Sequence, residues 1–177
     1  FGLQKGEVVS IASEGKPEWL YTDMGAIGVG GISSGVYTTD SAAQVKYLVN
    51  DSKTKFYFAE NAEQLDKILE VRTECPSLEK IIVYDMEGLQ NFSDSQVMSY
   101  DDFLNVGAEL HSKKPELWNN LMDQVEPEDI AILVYTSGTT GPPKGAMISN
   151  QNILYNIKSI KEAFETVEGE NQLSFLP

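Results

Sequence analysis

Short apolar runs rich in β-branched and aromatic residues alternate along this chain with amphipathic helical patterns. The runs that predict strands are Val8–Ala12, Phe56–Ala59, Ile81–Tyr84 and Ile130–Tyr135. Strands that alternate with helices build parallel sheets. The pattern therefore predicts an α/β fold, with a doubly wound, mostly parallel sheet and helices on both faces. Ligands of such sheets gather at the carboxyl ends of the strands.

Helix starts and stops can be located from local signals. Pro17 suits the first turn of a helix that Gly30-Gly31 ends. Ser41 with Gln44 forms a capping-box pattern, which Asn61 with Gln64 repeats. Further helices are predicted over Tyr100–Leu110, over Glu116–Val125 and after Ser149. The last of these has an apolar stripe, interpreted as core, made of Ile153, Ile157, Ile160 and Phe164.

The strand that ends at Tyr135 opens into a loop of hydroxyls and glycines that closes on one lysine. The residues predicted to bind phosphate are Thr136, Ser137, Gly138, Thr139, Thr140, Gly141 and Lys144. Glycines let backbone N–H groups approach an anion, hydroxyls add donors, and the lysine supplies a mobile positive charge. A Walker P-loop would open a helix at Lys144, whereas Gly145–Ile148 predicts a second strand. The alternative is a Gly/Pro-rich surface hairpin with a solvated lysine.

From Leu133 to Lys144 the loop resembles the phosphate-binding signature of the adenylate-forming superfamily, which includes acyl-CoA synthetases, luciferases and peptide-synthetase adenylation domains. Weaker likeness covers Lys16–Trp19, Gly25–Gly31 and Ser41–Lys55, and Leu173–Pro177 resembles a segment of long-chain fatty acyl-CoA synthetases. The resemblance implies that residues 1–177 are a single, partial N-terminal AMP-binding domain without the C-terminal domain. A first residue other than methionine and an end within an apparent strand, Leu173–Leu176, also lead us to expect a fragment.

The resemblance implies a two-step ligase reaction with ATP, Mg²⁺ and coenzyme A. A long-chain fatty acid would form an acyl-adenylate, which coenzyme A then converts to the thioester. Lys144 would stabilise the departing pyrophosphate electrostatically, and the Thr136 hydroxyl would contact phosphate or its magnesium. The family's adenine, ribose, magnesium-glutamate and catalytic-lysine sites would lie beyond residue 177, so the piece alone is expected to be inactive.

Charge narrows the set of partners. Asp and Glu outnumber Lys and Arg by 27 to 13, giving a net charge of −14, which repels nucleic acid.

Cys75 is the only cysteine, so a disulfide framework or a cysteine-based zinc site is excluded, and a small buried residue is expected. Without an apolar run long enough to span a bilayer, a cytoplasmic location is expected. A peripheral membrane contact through the lipid substrate is compatible with that location, and the oligomeric state is open.

Three alternatives stay open. Gly31-Ile32-Ser33-Ser34-Gly35 spells a nucleophile elbow, with His111 downstream, so a serine hydrolase using Ser33 is a remote rival. A glycine turn that ends a helix is the favoured interpretation, with Val36-Tyr37 as a short extended segment. Within the superfamily, another carboxylic or amino acid, destined for coenzyme A or a carrier protein, could be the substrate. A non-catalytic nucleotide-binding module would keep the same loop.

Overall fold

The computed structural model of the chain describes residues 1–136, 141–164 and 169. Its strands are β1 Val8–Ala12, β2 Ile32–Val36, β3 Thr54–Ala59, β4 Lys80–Val83, β5 Val97–Ser99, β6 Ile130–Thr136 and β7 Lys144–Ser149. Its helices are α1 Pro17–Gly28, α2 Ala42–Ser52, α3 Ala62–Val71, α4 Tyr100–Lys113, α5 Leu117–Met122 and α6 Asn150–Ala163, with a 3₁₀ turn at Arg72–Glu74.

All of these strands join one seven-stranded sheet in the order β5-β4-β3-β1-β2-β6-β7. The pairs from β5 across to β6 are parallel, and β7 alone among the described strands runs antiparallel to its neighbour. From β1 the chain first moves outward to β2 and then returns to β3 on the other side of β1. The carboxyl ends of β1 and β3 therefore flank the switch point at which such sheets open a crevice.

Helices cover both faces of the sheet. On one face, α2 and α3 bury Val45, Leu48, Leu65 and Ile68 against strand residues that include Tyr57. On the other face, α1 and α4 pack over Val9, Ile11, Phe56, Phe58 and Ile82. The predicted doubly wound α/β fold is confirmed. Cys75 is buried as expected, and burial raises the pKa of its thiol.

The helix ends predicted from the sequence form the capping hydrogen bonds expected there. Ser41 and Gln44 form both bonds of a capping box, and the Asn61 side chain accepts from the Gln64 N–H. The α1 helix ends in a Schellman motif, because the Gly31 N–H reaches the Ala26 carbonyl and the Gly30 N–H reaches the Ile27 carbonyl. Gly30 takes a φ of 79° there, a left-handed conformation that favours glycine.

Several sequence-based predictions need correction. The short extended segment predicted at Val36-Tyr37 starts on the last residue of a full strand, β2, which begins at Ile32 immediately after the glycine turn and ends at Val36. The short strand β5 was not predicted. The stripe on α6 was interpreted as core, yet Ile157, Ile160 and Phe164 are about half exposed or more. The strand predicted at Leu173–Leu176 lies outside the described residues.

Candidate functional site

The two stems of the glycine-rich loop form an antiparallel hairpin at the edge of the parallel sheet. Strand β6 ends at Thr136 and β7 begins at Lys144, and these two residues are directly paired. Side chains of paired residues lie on the same face of a sheet, next to each other. The Thr136 hydroxyl and the Lys144 ammonium group, both on exposed residues, therefore project together beside the loop.

The face on which they project follows from strand alternation. The Tyr135 hydroxyl bonds to Asp51 of α2, so Tyr135 points to the α2 face. Successive side chains on a strand point to opposite faces. Thr136 and its partner Lys144 accordingly lie on the opposite face, where α1 packs.

Of the predicted phosphate-binding residues, the structure places Thr136, Gly141 and Lys144. Gly141 has a φ of 90°, so glycine is favoured where the chain turns back toward β7. Ser137, Gly138, Thr139 and Thr140 lie outside the described residues. The two ends of the predicted site are thus brought together.

A cleft of about 1030 Å³ opens beside this hairpin, at the carboxyl ends of the central strands. Its walls are the segment Ser13–Pro17 after β1, the end of β2 with the residues that follow it (Gly35–Thr39), the α1 residues Trp19 and Leu20, and Ile132–Tyr135 of β6. The loop therefore starts at the rim of the cleft, because Thr136 directly follows its β6 wall.

Glu60, just beyond β3, lies at the switch point and binds the segment that follows β1. One carboxylate oxygen accepts from the Lys16 ammonium group at 2.7 Å and the other from the Glu14 N–H at 2.7 Å. Burial raises the pKa of Glu60, but the hydrogen bonds from Lys16 and Glu14 outweigh burial and lower it overall. The segment after β1 is thereby tied down along one side of the cleft.

Sequence reasoning missed the side chains that support the hairpin. The Tyr47 hydroxyl donates to the Pro143 carbonyl at 2.8 Å, and the Tyr135 hydroxyl donates to Asp51 at 2.7 Å. Their partners are 96 and 84 positions apart in the chain. Contacts over such distances leave no local pattern in a single sequence.

Comparison with known proteins identifies the family of the chain. The family model for AMP-binding enzymes matches residues 1–177, which is the whole chain. The chain belongs to the AMP-binding enzyme family. It is 30% identical over 180 residues to the long-chain-fatty-acid–CoA ligase ACSBG1 of Rattus norvegicus, covering 99% of this chain and 24% of that protein. It is 33% identical over 178 residues to the ligase ACSBG2 of Homo sapiens, covering 99% and 26%.

This member of the AMP-binding family thus spans about a quarter of the length of the curated relatives that it matches. Solved structures share its fold. A provisionally named long-chain-fatty-acid CoA ligase from Rhodopseudomonas palustris CGA009 has a TM-score of 0.74 at 17% identity, covering 99% of this chain and 40% of that one. The anthranilate CoA ligase AuaEII, solved with anthranoyl-AMP, has a TM-score of 0.67 at 22% identity, covering 88% and 27%.

The structure removes the main support for a serine hydrolase in this AMP-binding chain. Ser33 lies within β2, paired on both sides with β1 and β6, and is 1% exposed. A nucleophile elbow instead places its serine on an exposed strand-to-helix turn. Among the helices of the described residues, none is long and apolar enough to cross a membrane.

Asp23 of α1 is a buried carboxyl group beside Ser33. It is 7% exposed, and its Oδ1 atom finds no hydrogen-bond partner among the described residues. Burial raises the pKa of Asp23, and the Ser33 hydroxyl lowers it only in part. Because the folded pKa lies above the unfolded value, this group's contribution to stability is fully present below the unfolded pKa, about 4. It is lost as the pH rises through the folded pKa.

We expect Asp23→Asn to be more stable than the natural chain at pH 7 by about 1–2 kcal/mol, because the buried negative charge is removed. Urea denaturation of both proteins between pH 4 and pH 7 gives the difference between their unfolding free energies. The other titrating groups are the same in both proteins, so their contributions cancel in this difference. The advantage of the variant should grow as the pH rises. A difference that stays constant with pH would show that Asp23 titrates normally in the folded state.

Proposed function

We propose that this chain is part of an ATP-dependent acid–thiol ligase that activates a long-chain fatty acid. The fatty-acid carboxylate oxygen attacks the α-phosphorus of ATP while the bond from that phosphorus to pyrophosphate breaks. The coenzyme A thiolate then attacks the acyl carbon, and AMP leaves. Such chemistry depends on positioning and electrostatic stabilisation of the phosphates.

The observation that carries this proposal is the pairing of Thr136 with Lys144 across the stems of the glycine-rich loop. It supports a site in which one hydroxyl donor and one ammonium group face the same bound polyphosphate. Gly138 and Gly141 would let backbone N–H groups approach the β- and γ-phosphates. On a chain with a net charge of −14, Lys144 would provide the positive charge that the departing pyrophosphate needs.

The donor chemistry of the hairpin also fits magnesium. Mg²⁺ prefers oxygen ligands and is commonly held through substrate phosphates with few protein ligands. Within the ranges that the structure describes, no three His, Cys, Asp or Glu side chains gather as a metal site. We propose that Thr136 contributes a hydroxyl oxygen and that the phosphates and groups beyond residue 177 supply the other ligands. The ion, when bound, would neutralise phosphate charge.

The names of the relatives and the apolar walls of the cleft support a fatty acid as the substrate. The curated relatives that cover 99% of this chain are named as long-chain-fatty-acid–CoA ligases. The cleft beside the loop offers apolar walls, including Trp19, Leu20 and Val134, against which an alkyl chain could pack. The same fold occurs in an anthranilate CoA ligase, so an aromatic acid is the competing substrate class in the test.

The test is ATP–pyrophosphate exchange by the polypeptide that contains these 177 residues, with acids of graded length and with anthranilate as the aromatic control. We expect exchange that depends on the added acid and is fastest with long-chain fatty acids, because adenylation is reversible. Exchange with anthranilate or an amino acid alone would move the substrate to another class. No exchange with any acid, despite ATP binding, would favour a non-catalytic nucleotide-binding module.

The isolated chain provides the matched control. We propose that residues 1–177 form part of an N-terminal AMP-binding domain, with further parts of the active site elsewhere in the polypeptide. The isolated 177-residue chain should then make no thioester under conditions in which the whole polypeptide does. Thioester synthesis by the isolated chain would show that the catalytic groups are already present within it.

A further inference from the structure

Helix α2 contacts both stems of the glycine-rich loop. Its Tyr47 hydroxyl donates to the carbonyl oxygen of Pro143 at 2.8 Å, at the end of the loop. Its Asp51 carboxylate accepts from the hydroxyl of Tyr135 at 2.7 Å, just before the loop. Tyr47 and Asp51 are four positions apart, so they lie on the same side of the helix. One helix therefore supports the chain where it enters and where it leaves the loop.

The helix is itself well anchored. Its start is held by the Ser41–Gln44 capping box, and Val45 and Val49 are fully buried against the sheet. The ring of Tyr47 is half-buried and packs against the same core. A hydrogen bond from such a side chain can transmit the rigidity of the core to a loop.

The entry stem is fixed by close packing as well as by the hydrogen bond. A Cβ atom at Gly145, the residue paired with Tyr135, would lie 3.2 Å from the tyrosine ring, so glycine leaves the space that the ring needs. Burial and the hydrogen bond to Asp51 raise the pKa of Tyr135 far above its ordinary value. The Tyr135 hydroxyl therefore stays a donor throughout the physiological range.

The exit stem depends on Tyr47. Pro143 has no N–H to donate, so its carbonyl oxygen is the polar backbone group by which this residue can be held. Lys144 follows immediately and starts β7. We propose that Tyr47 is a positioning residue that fixes the exit stem of the loop and thereby holds Lys144 at the phosphate site. This inference rests on the proposed function.

The test compares Tyr47→Phe with Tyr84→Phe in the polypeptide that contains the chain. Both changes delete one phenolic oxygen, and both break a hydrogen bond of 2.8 Å, since the Tyr84 hydroxyl donates to Thr22 on the α1 face. Tyr47→Phe should raise the KM for MgATP in pyrophosphate exchange by about three- to tenfold. Its KM for the acid should not change, and Tyr84→Phe should leave both values unchanged.

A purely structural role would not give that pattern. Loss of folded protein lowers kcat and leaves the KM for MgATP alone. The double variant Lys144→Ala with Tyr47→Phe is a further test. In the protein that already carries Lys144→Ala, Tyr47→Phe should not raise the KM for MgATP further, because the ammonium group is gone. A full additional rise in that background would overturn the claim that Tyr47 acts through Lys144.

A second readout does not need activity. Trypsin cleaves after lysine, and cleavage between Lys144 and Gly145 requires the exit stem to open locally. Tyr47→Phe should speed this cut several-fold relative to the natural protein and to Tyr84→Phe. Equal cleavage rates together with equal KM values would overturn the proposal. If the natural protein shows no exchange, the proposed function fails, and the cleavage rates still decide whether Tyr47 fixes the stem.

Discussion

Lys144→Ala is expected to lower acid-dependent pyrophosphate exchange by about 10²–10³-fold, the loss that follows removal of one preorganised charge-stabilising donor. Lys144 is paired with Thr136 at the mouth of the loop and is exposed to an incoming ligand. Charge develops on pyrophosphate as its bond to the α-phosphorus breaks, so an ammonium group at this position acts more strongly on the transition state than on bound ATP. The effect should appear in kcat and also in the KM for MgATP, because the ammonium group also faces the phosphates of bound ATP.

Two further variants separate the charge from other causes. Lys158→Ala removes an exposed lysine from α6, away from the hairpin, and should leave exchange within about twofold, as surface changes usually do. Lys144→Arg keeps the charge but exchanges a compact ammonium group for a planar fork, so it should recover part of the activity. Unchanged exchange in Lys144→Ala would mean that the phosphates bind elsewhere.

Most strands and helix starts could be predicted because local pattern and tertiary environment agree. β1 is a mostly apolar run that is buried along its whole length, as expected of a parallel strand covered on both faces, and β6 is apolar from Ile130 to Val134. The helix starts at Ser41 and Ser149 depend on hydrogen bonds to residues three positions away, so a single sequence contains both partners.

β2 could not be predicted because its composition argues against a strand. Ser33, Ser34 and Gly35 have low strand propensity, yet their backbone pairs with β1 along its whole length. A Cβ atom at Gly35 would lie 4.0 Å from the Trp19 ring of α1, which is an ordinary van der Waals contact, so the space there does not require glycine. The strand forms because its backbone pairs with β1 and β6 on both sides, and this pairing overrides local preference.

The candidate site also has a part that the sequence predicts and a part that it does not. The proposed phosphate loop could be predicted because its motif is contiguous in the sequence. Its supports, Tyr47 and Asp51, come from a helix far away in the chain. The stripe on α6 illustrates the opposite error, because periodicity reveals an apolar face and says nothing about what packs against it.

Ile11→Ala is expected to destabilise the fold by about 2–5 kcal/mol, the usual cost of truncating a fully buried isoleucine. Ile11 is 0% exposed in β1, which has strands on both sides, and it packs in the cluster that contains Ala26 and Phe58. The cavity would lie between the middle of the sheet and α1, where paired neighbours on both sides limit collapse. Urea denaturation gives the change in unfolding free energy.

Two variants test whether the cost comes from this cavity. Ile11→Val removes one methylene and should cost about 0.5–1.5 kcal/mol, while Leu104→Ala on exposed α4 surface should cost less than Ile11→Ala. Because β1 leads directly into the Ser13–Pro17 wall of the cleft, Ile11→Ala should also lower exchange well below its unfolding temperature. A cost no greater than that of Ile11→Val would mean that α1 closes over the gap, and the cleft wall would then keep its position.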